Sequence, residues 1–130
     1  MKQEAKYQIL FNQYIREKRL YGYFELKYTE NNTFPFSRIE THQYEGLQAG
    51  EKVGLVWKLS DQDMRQKPFD SFCTPPLPAY LIIVFRQDMY MIRIGEIVKL
   101  REAGLIGITL EKAKELASYV QKQYKKYMSN

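Results

Sequence analysis

Inside the aromatic stretch "YGYFELKYT", Glu25 and Lys27 stand two residues apart. Alternate side chains of a strand share a face, so the carboxylate and the ammonium point one way, about 7 Å apart along the strand. Phe24, Leu26 and Tyr28 then point the other way. A carboxylate that can ligate a hard divalent cation, beside a cation that activates water or offsets charge on a phosphate, is what metal-assisted phosphodiester cleavage requires. The intervening backbone carbonyl can add a ligand. The same two charges also make an ordinary ion pair, and spacing alone favours the pair.

The rest of the composition narrows this chemistry. His42 is the only histidine and Cys73 the only cysteine, which excludes an intramolecular disulfide and a zinc site built on His or Cys. Any metal should therefore be a hard cation on oxygen ligands, and Cys73 should be a buried, inert thiol. Twenty basic residues against fifteen acidic ones give a net charge of +5, which favours a polyanionic partner. With 130 residues, 45% hydrophobic and 27% charged, the chain reads as one globular domain, residues 1–130. No stretch approaches the roughly 20 apolar residues of a membrane span. The start, "MKQEAKYQILFNQYI", lacks a continuous apolar h-region, so an intracellular (cytoplasmic) location without a membrane partner is expected.

The elements that must position Glu25 and Lys27 follow from periodicity. Tyr7, Leu10, Phe11 and Tyr14 recur at the spacing of one buried helix face, predicting a helix from Gln3 to about Lys18. Tyr21 to Thr29 reads as a strand closed by the turn residues of "TENNT". Ser37 with Glu40 three residues on, after Pro35, reads as a capping box that opens a second helix, with Gly50 as its stop. Its apolar stripe is Ile39 and Leu47, with the amide of Gln43 between them. Val53 to Leu59 and "PFDSFC" suggest a hairpin. "AYLIIVF" reads as a central strand covered on both faces, "RQD" as a turn, "MYMIRI" as another strand and "GEIVKLREAG" as a short helical or irregular piece. Thr109 caps a last helix whose inward stripe is Leu110, Ala113, Ala117, Val120 and Tyr124. The order predicts an α/β fold, a layered mixed sheet flanked by helices.

The stretch "GYFELKYTENNTFPFSRIETHQYEGL" resembles the segment of RecU-type Holliday junction resolvases in which an E-x-K strand is followed by a "T-x-F-P" turn and a helix carrying "H-Q". The likeness continues more weakly through "PAYLIIVFRQDMYMIRIGEIVKL", so it covers roughly residues 21–100, and short phage-type relatives look most similar. The resemblance implies membership of the PD-(D/E)xK nuclease superfamily and a restriction-endonuclease-like mixed sheet flanked by helices. It further implies Mg²⁺ (or Mn²⁺) as cofactor and hydrolysis of branched or junction DNA in recombination, usually by a homodimer.

One departure bears on the site. The family places an aspartate on a strand just before E-x-K, and "NQYIREKRLYG" has none. Asp70, a proline-flanked acid at the start of a strand, is the candidate replacement if the hairpin carries it to Glu25; otherwise it is an ordinary turn acid. Asp61 and Asp63, in a polar loop, are poorer candidates. The likeness matches Gln43 to the helix-borne glutamine of the family, against the alternative that it bonds loop backbone. It also matches Glu4 loosely to an acid on the first helix, against the alternative of a first-turn acid favoured by the helix dipole. On this reading Glu25 and Asp70 hold Mg²⁺, Lys27 activates water and stabilises phosphate charge, and Gln43 positions water or backbone.

Phosphate contacts outside the pocket would fall to Arg16, Lys18, Arg19, Arg38, Lys122, Lys125 and Lys126, each of which is otherwise an ordinary solvated surface charge. His42 reads as structural or as an interface residue, and Trp57 as core rather than a stacking platform. Two alternatives stand beside the nuclease: a catalytically impaired DNA- or protein-binding module of the same fold, and an accessory protein in which Glu25 and Lys27 are a plain salt bridge.

Overall fold

A computed structural model describes residues 3–59 and 68–122 of the chain. It shows a mixed α/β architecture built on a four-stranded mixed sheet. Helix α1 (Gln3–Lys18) buries Tyr7, Leu10, Phe11 and Tyr14, as their spacing requires. Strand β1 (Tyr23–Thr29) follows, then a short β2 (Thr33–Pro35), a 3₁₀ turn (Phe36–Arg38) and helix α2 (Thr41–Val53). The hairpin β3 (Leu55–Lys58) and β4 (Ser71–Thr74) precedes the central strands β5 (Ala79–Phe85) and β6 (Asp88–Arg93). Helix α3 (Ile94–Glu102), β7 (Gly107–Thr109), α4 (Leu110–Leu116) and β8 (Tyr119–Gln121) complete the order.

The main sheet runs β1-β5-β6-β8, with β1 parallel to β5 and the other pairs antiparallel. Parallel neighbours need a crossover, and α2 lies in the one that joins β1 to β5. All seven residues of β5 are buried, because helices cover both of its faces. On one face Leu26, Tyr80, Ile82 and Val84 pack on the α1 stripe. On the other, Leu81, Ile83 and Ile92 pack with Phe34, Phe36, Leu47, Ile97 and Ala113.

Three boundaries differ from the sequence reading, each for a tertiary reason. Ser37 does not open the second helix. Phe36 is buried and its amide donates to the Ile106 carbonyl at 2.9 Å, which holds residues 36–38 in a 3₁₀ turn beside the β2–β7 pair. Glu40 is the N-cap instead. Its side chain and that of Gln43 form the capping box reciprocally. Gly50 does not end this helix either; a Cβ there would lie 2.6 Å from the Tyr23 ring, so glycine lets the helix seat against β1. The stop is Gly54, at a φ of 84°.

The third difference is at the far end. Thr109 does cap a helix, accepting from the Lys112 amide at 3.1 Å, but α4 stops at Leu116. Ala117 turns extended, Ser118 donates to the Met91 carbonyl, and β8 closes the edge of β6. Val120 therefore belongs to a strand rather than to a helical stripe. Tyr124, Lys125, Lys126, Asp61 and Asp63 lie outside the described residues.

The predicted hairpin forms, but its side chains are not core. Trp57 and Cys73 are exposed, because β3 and β4 pair only with each other and lie outside the main sheet. Among the described residues no helix is long and apolar enough to cross a membrane.

Candidate functional site around Glu25

Strand β1 gives its two faces different neighbours. Its ladder bonds place the amides and carbonyls of Tyr23, Glu25, Lys27 and Thr29 toward β5: Tyr23 donates to the Pro78 carbonyl and Thr29 accepts from Arg86. By the same alternation Phe24, Leu26 and Tyr28 turn theirs to the outer edge of the sheet. At that edge the Tyr28 carbonyl accepts from the Arg38 guanidinium at 2.6 Å. Leu26 is 3% exposed, so this stretch of the edge is buried.

Glu25 and Lys27 do share a face. The Lys27 Nζ lies 3.7 Å from Glu25 Oε2, with the two side chains 11% and 27% exposed respectively. Gln43, carried on the first turn of α2, donates from Nε2 to the same carboxylate oxygen at 3.0 Å. Its Oε1 accepts the Glu40 amide at 3.1 Å. Only this orientation of the amide satisfies both partners, so one side chain caps the helix and fixes the carboxylate. The two readings of Gln43 are thus both met: the amide bonds backbone at Glu40 and contacts the candidate site at Glu25.

Burial raises the Glu25 pKa, Lys27 opposes the rise, and the charge of Glu4 adds to it. Glu4, in the first turn of α1, is half-buried and pairs with Arg38 at 3.7 Å. It is thus the second carboxylate that Glu25 feels. Asp70 is placed differently. It sits exposed in a bend just before β4, its carbonyl accepts the Leu59 amide at 2.8 Å, and it is not among the charges acting on Glu25. The structure brings together Glu25, Lys27, Gln43 and, at the margin, Glu4; it does not bring Asp70 into that group.

The remaining candidates divide. Arg38 is occupied by Tyr28, Glu4 and the Phe34 ring, which it overlies at 5.1 Å, so it braces the β1 edge. Arg16, Lys18, Arg19 and Lys122 are exposed. His42 is largely exposed, with Nδ1 3.4 Å from Glu40. A groove of about 400 Å³ opens beside Glu25, lined also by Tyr23, His42, Gln43, Leu55 and Trp57. The sequence reading missed Trp57 as part of this wall. The sequence placed Trp57 on the strand from Val53 to Leu59 but read it as core, and nothing local marks the hairpin as lying outside the main sheet.

Among the described residues no three His, Cys, Asp or Glu side chains converge as a metal-ligand group. The donors of strand β1 that suit a hard cation by type are the Glu25 carboxylate, whose raised pKa a nearby positive charge would lower, and the backbone carbonyl of Leu26, its neighbour in the chain. A comparison of the chain with protein-family models, curated proteins and solved structures finds no match.

Proposed function

We propose that the chain is a divalent-metal-dependent DNA endonuclease of restriction-endonuclease-like fold, acting on branched DNA. The observation that carries this reading is the arrangement at the β1 edge. A half-buried carboxylate with a raised pKa, an almost fully buried ammonium 3.7 Å away and an orienting amide stand at the wall of an open groove. The pair faces open space, where a phosphate can reach both charges, and the Gln43 amide fixes the carboxylate at the groove wall.

Glu25 and the Leu26 carbonyl would hold Mg²⁺ or Mn²⁺, with Glu4 the nearest further acid. When bound, the cation supplies Lewis-acid stabilisation of the charge that builds on the phosphate. Lys27 provides a fixed positive charge and three donors for the same phosphate or for the attacking water. Gln43 holds the Glu25 carboxylate against rotation, so its orientation is set before substrate arrives. The net charge of +5, with exposed Arg16, Lys18, Arg19 and Lys122, supplies the phosphate attraction that any DNA ligand needs.

The test is incubation of labelled four-way junction, duplex and single-stranded DNA with Mg²⁺ or Mn²⁺. Wild type should cut the junction, and Lys27→Ala and Glu25→Gln should each lower the rate by about 10²-fold or more. Glu4→Gln should weaken cutting and Asp70→Asn should leave it unchanged. Cutting that survives both Glu25→Gln and Lys27→Ala overturns the site; binding without cutting converts the reading to a DNA-binding module.

A further inference from the structure

The β3–β4 hairpin carries a second feature that metal chemistry leaves unexplained. Trp57 and Phe72 are directly opposed cross-strand partners, so they share one face of the hairpin. Their rings lie nearly parallel, at 19° with centroids 6.3 Å apart, and Phe69 stands edge-on to Phe72 at 88°. Trp57 is 44% exposed and Phe72 42%, so the stacked pair presents a joined aromatic surface to solvent. The indole is also held in place. Its Nε1 donates to Thr74 Oγ1 at 3.2 Å, and the Tyr23 hydroxyl donates to the same oxygen at 2.5 Å. The root of the hairpin is fixed where Gly54 approaches the Thr74 carbonyl so closely that a Cβ would lie 2.1 Å from it.

We infer that this pinned aromatic face is a stacking platform for unpaired nucleobases of DNA lying in the Glu25 groove. The inference rests on the DNA reading above and names the part of the substrate that the hairpin takes. Three observations select this occupant. Trp57 lines the same groove as Glu25, Gln43 and His42, so a chain whose phosphate reaches Glu25 passes the indole. The exposed aliphatic Val56 and the thiol of Cys73 oppose each other on the next rung and therefore belong to the other face, which leaves the Trp57 face with flat π surfaces. Exposed Lys52, in the last turn of α2, and Lys58, at the end of β3, stand near the hairpin on a chain of net charge +5, complementary to a polyanion. Bases inside a duplex already stack on one another, so only unpaired bases present a π face to such a platform.

Trp57 is the only tryptophan of the chain, so its emission reports this face alone. The experiment titrates the full chain, without divalent metal, with a labelled oligothymidylate of about 15 nucleotides, the upper site size of a small single-strand-binding fold. A blunt duplex of equal length serves as control. Anisotropy of the label reads binding, and tryptophan quenching reads stacking. Expected are quenching by the single strand but not by the duplex, and about tenfold weaker single-strand binding by Phe72→Leu, with circular dichroism checking its fold. Trp57→Phe should retain most of the affinity. Binding by anisotropy without quenching overturns the platform while the DNA reading stands. Absence of binding to both DNAs overturns both. Concentration-dependent self-association that shifts the emission without DNA overturns the platform in favour of a second copy of the chain.

Discussion

Strands β1 and β5 lie side by side over seven rungs, yet they are built on opposite principles. In β5 all seven residues are apolar and buried. In β1, Glu25 stands opposite Leu81 and Lys27 opposite Ile83, so two charges occupy the face on which their neighbours are fully buried. Desolvating two ions costs several kcal/mol each, and replacing a buried pair by well-packed apolar residues is often neutral or stabilising. β5 therefore shows what these rungs look like when they serve the core alone. The departure in β1 is the feature on which the proposed site rests.

The largest expected effect tests the β5 side of this contrast. Ile83→Ala removes a fully buried side chain between α2 and the sheet and should lower stability by about 2–5 kcal/mol in denaturant unfolding. On the same rung, Lys27→Ala should cost about 1–2 kcal/mol, less than a wholly buried pair would lose, because Glu25 keeps contact with water. The double change Glu25→Leu with Lys27→Met should return stability to within about 1 kcal/mol of wild type or above it. If the double variant is instead the least stable of the three, the charges hold the fold and the contrast between the strands collapses.

What the sequence disclosed follows the same division. The α1 stripe, the apolar run of β5 and the shared face of Glu25 and Lys27 are local periodicities, and they were readable because burial enforces them residue by residue. The start of α2 was not. Ser37–Glu40 fits the Ser/Thr-x-x-Glu signature of a capping box and Glu40–Gln43 does not, yet the latter caps the helix, because residues 36–38 are held in a turn beside the pairing of β2 with β7, more than 70 residues away. The end of α4 carries no glycine or proline, and Ala117 and Val120 continue its apolar stripe; the unpaired edge of β6 decided for a strand. At the site, Glu4 became the second carboxylate near Glu25 only because α1 packs across β1, a contact that no spacing in the sequence encodes.

A smaller effect separates the two jobs of Gln43. Gln43→Ala removes both the bond to Glu25 and the bond that closes the α2 capping box, and should cost about 1 kcal/mol. Gln43→Glu retains an acceptor for the Glu40 amide, so the capping bond survives while a carboxylate faces Glu25. Its unfolding midpoint should fall more steeply as pH rises than that of the alanine variant.

The smallest effect is the pH dependence of wild type itself. The folded pKa of Glu25 is raised above its ordinary value of 4.5, chiefly by burial. The folded chain therefore holds this proton at a pH where the unfolded chain has released it. By linkage its contribution to stability is fully present below the unfolded pKa and declines as pH rises through the folded one. Glu25→Gln should remove that decline. Lys27→Ala should move it to higher pH, since the ammonium is the main influence holding the pKa down. Denaturant midpoints measured upward from pH 4.5 check both shifts, and a wild-type profile that matches Glu25→Gln throughout would mean that Glu25 titrates as an ordinary surface acid, outside any site.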